Sequence, residues 1–223
     1  MHPEPGVYST TGVFVCFEGG DGAGKSTQSA LLKEWLEAES YAVVLTFEPG
    51  DTAVGRRVRE IVLSPATGEL AHRTEALLYV ADKAEHVETV VLPALARGDV
   101  VITDRYVDST LAYQGAGRGI GTVDGIIDDG LERVARWATG DLRPHLTVVL
   151  DLEPHHGLGR FEERDRIEGE SVDFHERARA AFLALAGADP DHYLVLDARR
   201  PADEIATAVR ERVATLLVGA VRR

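Results

Sequence analysis

Apolar positions gather into five short runs separated by longer mixed stretches: Gly12–Glu18, Ala42–Phe47, Val100–Thr103, Leu146–Leu152 and His192–Leu196. The first reads Gly-Val-Phe-Val-Cys-Phe-Glu, apolar at consecutive positions, as expected of a strand covered on both faces. After it comes a glycine-rich turn, then a helical repeat with Leu31, Leu32, Trp35 and Leu36 on one side and Lys33, Glu34 and Glu37 on the other. Thr74–Arg97 predicts one long helical stretch with Pro93 late in it, and Val172–Ala186 and Ala202–Val218 predict two more helices. Five apolar strands alternating with helices imply parallel β-α-β units with right-handed crossovers, hence an α/β fold with a five-stranded parallel sheet flanked by helices. Residues Met1–Gly12, rich in Pro, Gly, Ser and Thr, predict a loose, flexible tail, and residues 13–223 a single domain. Charges crowd His155–Ser171, which predicts either a solvated helix and loop or a short mobile lid supplying positive charge to a reaction.

Composition narrows the function. The chain has 223 residues and a formal net charge of −13, which argues against binding nucleic-acid polymers because they need an extended basic face. A small anionic ligand needs only a few local cations. Of 24 basic residues, three are lysines: Lys25, Lys33 and Lys83. The single Cys16 lies inside the first apolar run, so no intramolecular disulfide forms and the residue is expected to pack as a small buried hydrophobe. The N-terminus lacks the basic and apolar regions of a signal peptide, and no apolar run approaches the roughly 18 residues that span a membrane. The expected location is the cytoplasm, with no membrane partner.

Gly19-Gly20-Asp21-Gly22-Ala23-Gly24-Lys25-Ser26, followed by Thr27, fits the pattern G-x-x-x-x-G-K-[ST] between a buried strand and an amphipathic helix. Glycines there let successive N–H groups turn toward phosphate oxygens, and the helix beginning at about Lys25 adds its positive end. Lys25 reaches β and γ phosphates and the Ser26 hydroxyl can hold Mg²⁺, which makes this stretch an ATP-type cradle. Asp104 ends the run Val100–Thr103 and can bind Mg²⁺ directly or through water; it can equally cap the helix expected near Asp108. A guanine-reading Asn-Lys-x-Asp motif is absent from the C-terminal half, since no lysine follows Lys83. Arg105, directly after Asp104, faces the same crevice and carries a planar fork suited to a second phosphate. Two phosphates across one Mg²⁺ describe phosphoryl transfer from ATP to a phosphorylated acceptor.

The run Asp104-Arg105-Tyr106-Val107-Asp108-Ser109-Thr110-Leu111-Ala112-Tyr113-Gln114-Gly115 resembles the segment DRY-x-x-S-x-x-AYQG of bacterial thymidylate kinases. So do Phe47-Glu48-Pro49-Gly50, the stretch Leu77–His86, Pro93–Gly98 and Asp165-Arg166-Ile167-Glu168, and the likeness runs from about Val13 to Val218. The resemblance implies a P-loop kinase fold, phosphorylation of dTMP to dTDP with ATP and Mg²⁺, and a homodimer formed through helices such as Thr74–Arg97. Arg105 would clamp the dTMP phosphate, and Asp21 would reach the sugar 3′-hydroxyl or the metal network. Tyr79 stands where an aromatic ring stacks on thymine, though a tyrosine on a long helix can also be core. Arg59, Gln114 and Thr110 would read the base edge, Tyr113 would crowd the sugar 2′ position, and Glu48 with Pro49 would border the acceptor. Arg160, Arg164 and Arg166 would fold over ATP from the lid, one of them catalytic, because Gly22 takes the place of a cradle arginine found in many eukaryotic members.

Three positions depart from the family pattern. Phe47 replaces an arginine, Asp51 a glycine, and Lys83 an arginine that would contact the base; lysine keeps the charge and loses the fork. These departures leave open a related kinase with another nucleotide or nucleoside acceptor, and a non-catalytic nucleotide-binding module. The paired His155 and His156 are expected to be solvated. Arg199 and Arg200 lie where the family passes near adenine, and surface charge explains them equally well.

Overall fold

The computed structural model describes residues 6–120, 122–123, 126–127, 129–158, 165–217 and 222. Five strands form one parallel sheet: β1 (Val13–Gly19), β2 (Val43–Phe47), β3 (Val100–Asp104), β4 (Leu146–Asp151) and β5 (Tyr193–Asp197). Their order is β2-β3-β1-β4-β5. β1 lies central and every one of its residues is buried. Its side chains alternate between two cores. Val13, Val15 and Phe17 pack with Leu32, Leu36, Val209 and Val213, whereas Phe14 and Cys16 pack with Val80, Val91, Leu95 and Leu142. The continuous apolar run is thus the sum of two half-strands, each facing its own layer of helices.

The helices are α1 (Lys25–Ala38), α2 (Ala53–Leu63), α3 (His72–His86), α4 (Leu92–Ala96), α5 (Val107–Thr110), α6 (Gly130–Ala138), α7 (Pro154–Leu158), α8 (Val172–Ala188) and α9 (Ala202–Ala214). The stretch predicted as one helix over Thr74–Arg97 begins at His72 and widens into a π-type turn at Val87–Val91 before α4. Pro93 has no N–H to give the preceding turn, so a regular ladder cannot continue through it. α9 stops at Ala214, short of the predicted end, and Val218 lies outside the described residues.

Of the tail expected to be loose, residues 1–5 lie outside the described residues and residues 7–12 have partners in the fold. Val7 exchanges backbone hydrogen bonds with Asp141 (3.0 Å) and Arg143 (2.8 Å). Tyr8 stacks on His192 at 4.8 Å, and His145 lies 2.9 Å from the Ser9 carbonyl. Proline- and glycine-rich composition signals a lack of regular structure, not a lack of partners.

Phe17 lies opposite Asp104, the last residue of β3, and β1 runs on to Gly19. The chain leaves β1 toward α1 on one face and leaves β3 toward α5 on the other, because Leu32 of α1 and Val107 of α5 belong to opposite cores. A crevice opens where adjacent connections diverge at the carboxyl ends of parallel strands. Replacing the fully buried Ile102 in β3 by alanine should lower stability by about 2–5 kcal/mol. Val7→Ser, whose side chain is exposed while its backbone makes the bonds, should change it by less than about 0.5 kcal/mol. Urea denaturation midpoints distinguish the two; equal shifts would contradict this division of the core.

Candidate active site

The cradle spans the turn from β1 into α1. Gly22 and Gly24 adopt φ of 73° and 93°, which L side chains rarely tolerate. Gly22 is further confined by α7: a Cβ there would stand 2.8 Å from the Gly157 carbonyl oxygen, and a Cβ on Gly157 would collide with the Asp21 carbonyl. Facing glycines let α7 lie directly on the cradle. Lys25 is buried and its ammonium donates to the carbonyls of Gly19 (3.2 Å) and Gly20 (2.8 Å). Burial and the nearby Arg105 charge lower its pKa, against the pull of Asp104 and Asp21. Thr27 is exposed in the first turn of α1. Ser26 Oγ donates to Asp104 Oδ2 at 2.8 Å, so two hard oxygen donors meet beside the cradle, a set that suits Mg²⁺.

Arg105 occupies the sharp turn after β3 at φ 74°. Its N–H donates to the Phe17 carbonyl (2.9 Å), and its carbonyl accepts from Thr103 Oγ1 (2.9 Å). The guanidinium bonds Asp21, Ser109 Oγ (3.0 Å) and Tyr113 Oη (3.3 Å), and its carbon lies 5.0 Å from the Tyr113 ring centre. Asp21 is held below the usual carboxylate range: burial opposes this, while Arg105 and Lys25 prevail.

Glu18, the last side chain of β1, is fully buried. One oxygen accepts from the N–H groups of Tyr106 (2.8 Å) and Ser109 (3.1 Å), the other from Ser109 Oγ (2.6 Å). Burial, reinforced by Asp108, raises its pKa to about 7. It therefore ties the cradle strand to the turn that aims Arg105.

A cavity of about 640 Å³, counting its mouth, opens beside Arg105. Tyr79, Lys83 and Glu48 line it from α3 and the end of β2. Arg59 lines it from α2, Thr110, Tyr113 and Gln114 from the helical segment after β3, and Asp21 from the cradle. The peptide bond Glu48–Pro49 is cis. Thr110 Oγ1 is buried without a hydrogen-bond partner among the described residues, a free polar group on the cavity wall. Cradle, oxygen pair, guanidinium and cavity thus share one crevice. Chemically, the arrangement sets a cavity beside a glycine-rich turn of the kind that can cradle phosphate.

A family model described as thymidylate kinase matches residues 17–209. The chain belongs to the thymidylate kinase family. The thymidylate kinase of Cutibacterium acnes is 53% identical over 207 residues, covering 92% of this chain and 98% of that protein. That of Clavibacter michiganensis is 54% identical over 212 residues, covering 93% and 97%. That of Deinococcus radiodurans is 49% identical over 197 residues, covering 87% and 92%.

The departures from the family pattern have partners. Phe47 is partly exposed, and Arg59 lies 5.8 Å from its ring centre while donating to the Pro49 carbonyl at 2.8 Å. Asp51 accepts from Thr46 Oγ1 at 2.5 Å; the Thr46 hydroxyl lies 2.6 Å from His86 Nε2, and His86 Nδ1 lies 2.6 Å from Glu48. Lys83 pairs with the other Glu48 oxygen at 2.9 Å, fully buried. Its ammonium is thus committed to Glu48.

Of the lid arginines, Arg160 and Arg164 lie outside the described residues. Arg166 is turned away from the cradle: it donates to the Val62 carbonyl (3.0 Å) and to Glu75. His155 and His156 are exposed, as expected, and both approach Glu153. Arg199 pairs with Asp197 and Arg200 with Glu204 at the surface.

Sequence reasoning missed Glu18 and Glu75. Glu18 left a signal, an acid closing an otherwise apolar strand. Glu75 left none, because an acid in a helix's first turn ordinarily just faces the helix dipole.

Because the folded protein binds the Glu18 proton more tightly than the unfolded chain, the stability linked to that proton is complete below about pH 4.5. It is lost as pH rises through about 7. Glu18→Gln lacks this loss. The melting temperature of Glu18→Gln minus that of the wild type should therefore rise between pH 5 and 8; a difference that stays flat would refute the buried titration.

Proposed function

We propose that this chain phosphorylates dTMP to dTDP with ATP and Mg²⁺. The observation that carries the reading is the placing of Arg105, at a strained turn, between the cradle's Asp21 and the pocket bounded by Tyr79 and Gln114.

ATP would lie along Gly19–Thr27, with the backbone N–H groups and Lys25 meeting its phosphates. Ser26 and Asp104 would hold Mg²⁺, which supplies charge neutralisation between the two phosphates. Arg105 would grip the dTMP phosphate by its fork and align it with the donor. Tyr79 would stack on the base, with Arg59, Thr110 and Gln114 at its edge, Tyr113 against the sugar, and Glu48 held ionised by Lys83 and His86 beside it. No side-chain nucleophile is needed, since positioning and electrostatics suffice for phosphoryl transfer. An arginine from the lid segment, Arg160 or Arg164, would meet the charge spread over the transferred group, since Arg166 is held by Glu75 and the Val62 carbonyl.

A steady-state panel of dTMP, dUMP, TMP, dCMP, dGMP and AMP tests the reading. dTMP should be best, and dUMP measurably poorer, because one methyl contributes only about 1–3 kcal/mol. Turnover of a purine monophosphate as fast as dTMP would sink it. Arg105→Ala should lower kcat/KM for dTMP about a hundredfold or more, the scale of losing one preorganised phosphate contact. An unchanged KM for the acceptor would favour an unphosphorylated one, and ATP binding without dTMP-dependent ADP release would favour the non-catalytic module.

We further propose that the chain acts as a homodimer in the cytoplasm. Among the described residues no helix is long and apolar enough to cross a membrane. Val54 and Ile61 on α2, Leu77 on α3, and Val134 and Trp137 on α6 are exposed, Trp137 by 82%. α3 packs against both α2 and α6, so these side chains belong to one bundle of neighbouring helices. A second copy would cover such apolar surface. Sedimentation should give twice the chain mass for the wild type and one chain mass for Leu77→Asp with Trp137→Asp; a wild-type monomer would refute the dimer.

A further inference from the structure

Glu75, in the first turn of α3, is fully buried. Four hydrogen bonds converge on its carboxylate. Gln114 Nε2 and Arg118 Nε each donate to one oxygen at 3.0 Å. Arg118 donates a second time to the other oxygen at 3.0 Å, and Arg166 joins it there. Gln114 and Arg118 come from the end of the helical segment after β3, Arg166 from the segment just before α8. Arg166 is fixed further by Leu63, whose carbonyl accepts its backbone N–H at 2.9 Å, and by the Val62 carbonyl. One carboxylate therefore fastens two walls of the cavity, that of Gln114 and that of Ile167.

The chemistry of that carboxylate limits Gln114. An amide alone is ambivalent: turning it over exchanges donor for acceptor at the same place. An ionised carboxylate can only accept, and two guanidinium groups on the same two oxygens keep Glu75 ionised. Gln114 must then turn its NH₂ toward Glu75, which leaves its carbonyl oxygen as the group offered to the cavity it lines.

We propose that Glu75 is a specificity-determining positioning residue. By locking the Gln114 amide it makes the cavity present a hydrogen-bond acceptor to the base. That acceptor matches a pyrimidine with a ring N3–H, as in thymine and uracil. It opposes cytosine, whose N3 is itself an acceptor. The inference rests on the dTMP kinase reading and adds to it the group that sets the polarity of the base contact.

The test compares kcat/KM for dTMP and dCMP, with ATP, in the wild type and Glu75→Gln. An amide at position 75 can donate, so Gln114 is free to turn over. The dTMP-to-dCMP ratio should fall about tenfold or more, the scale of one misdirected buried hydrogen bond. A purely structural role would depress both acceptors together and leave the ratio alone. Glu75→Gln combined with Arg118→Gln removes one buried cation together with the anion and serves as the second variant if the single one does not fold. A ratio within about twofold of the wild type in a folded variant would overturn the role of Glu75. A wild type without preference for dTMP over dCMP would overturn the acceptor reading and this inference with it. A wild type that prefers dTMP, with variants that keep the preference, would overturn the role of Glu75 alone.

Discussion

Everything in the crevice depends on the contact between Glu18 and the turn after β3. A non-glycine residue at φ 74° costs of order 1–2 kcal/mol, so the Arg105 turn needs an outside constraint. Glu18 provides it by accepting the N–H groups of Tyr106 and Ser109 and the Ser109 hydroxyl. The chain must then double back immediately beyond Asp104, which returns the Arg105 guanidinium across the end of β1 to Asp21. The cradle and the Arg105 guanidinium are thereby set by one carboxylate near the shared end of two adjacent strands. Without it, the same residues would be present and their spacing would not be.

The acidic surplus of the chain takes on a different meaning against this geometry. Carboxylates here hold cations in and around the cavity. Asp21 holds Arg105, Glu48 holds Lys83, and Glu75 holds Arg118 and Arg166. Buried ion pairs add little net stability because desolvation offsets most of their attraction. Their use here is geometric, since each long side chain is confined to one place before a ligand arrives. A net charge of −13 still disfavours polymers, while Lys25, Arg105, Arg59 and the cradle amides place positive charge within the crevice.

How much of this was legible in the sequence follows from how local each signal is. The buried strands were legible because a run covered on both faces leaves no polar alternation, and the cradle because its glycine spacing is a backbone requirement. The nine acceptor-side positions, from Asp21 to Gln114, were named through family motifs, and the fold brings all nine to one cavity. Tertiary pairing was not legible. Tyr8 gains its place from His192, more than a hundred residues away, so the composition of its own segment suggested looseness. Arg166 sits in a charge-rich run that suggested either a solvated loop or a lid, yet its partner Glu75 lies 91 positions earlier on a different helix. The π-type turn before Pro93 escaped because apolar periodicity continues through it while the hydrogen-bond ladder shifts.

The Lys83 departure shows why a lost fork need not be a lost interaction. A guanidinium engages a carboxylate best when both oxygens are free to accept it. Glu48 does not offer both: one oxygen faces His86 Nδ1 at 2.6 Å, leaving a single oxygen for position 83. A point charge on a flexible stem satisfies one oxygen without competing for the second, and Lys83 does so at 2.9 Å. His86 in turn continues through Thr46 to Asp51, another position that departs from the family pattern. Lysine at 83 and aspartate at 51 are therefore the two ends of one buried chain of contacts. Altering either end acts on Glu48, and through Glu48 on the wall of the cavity it lines.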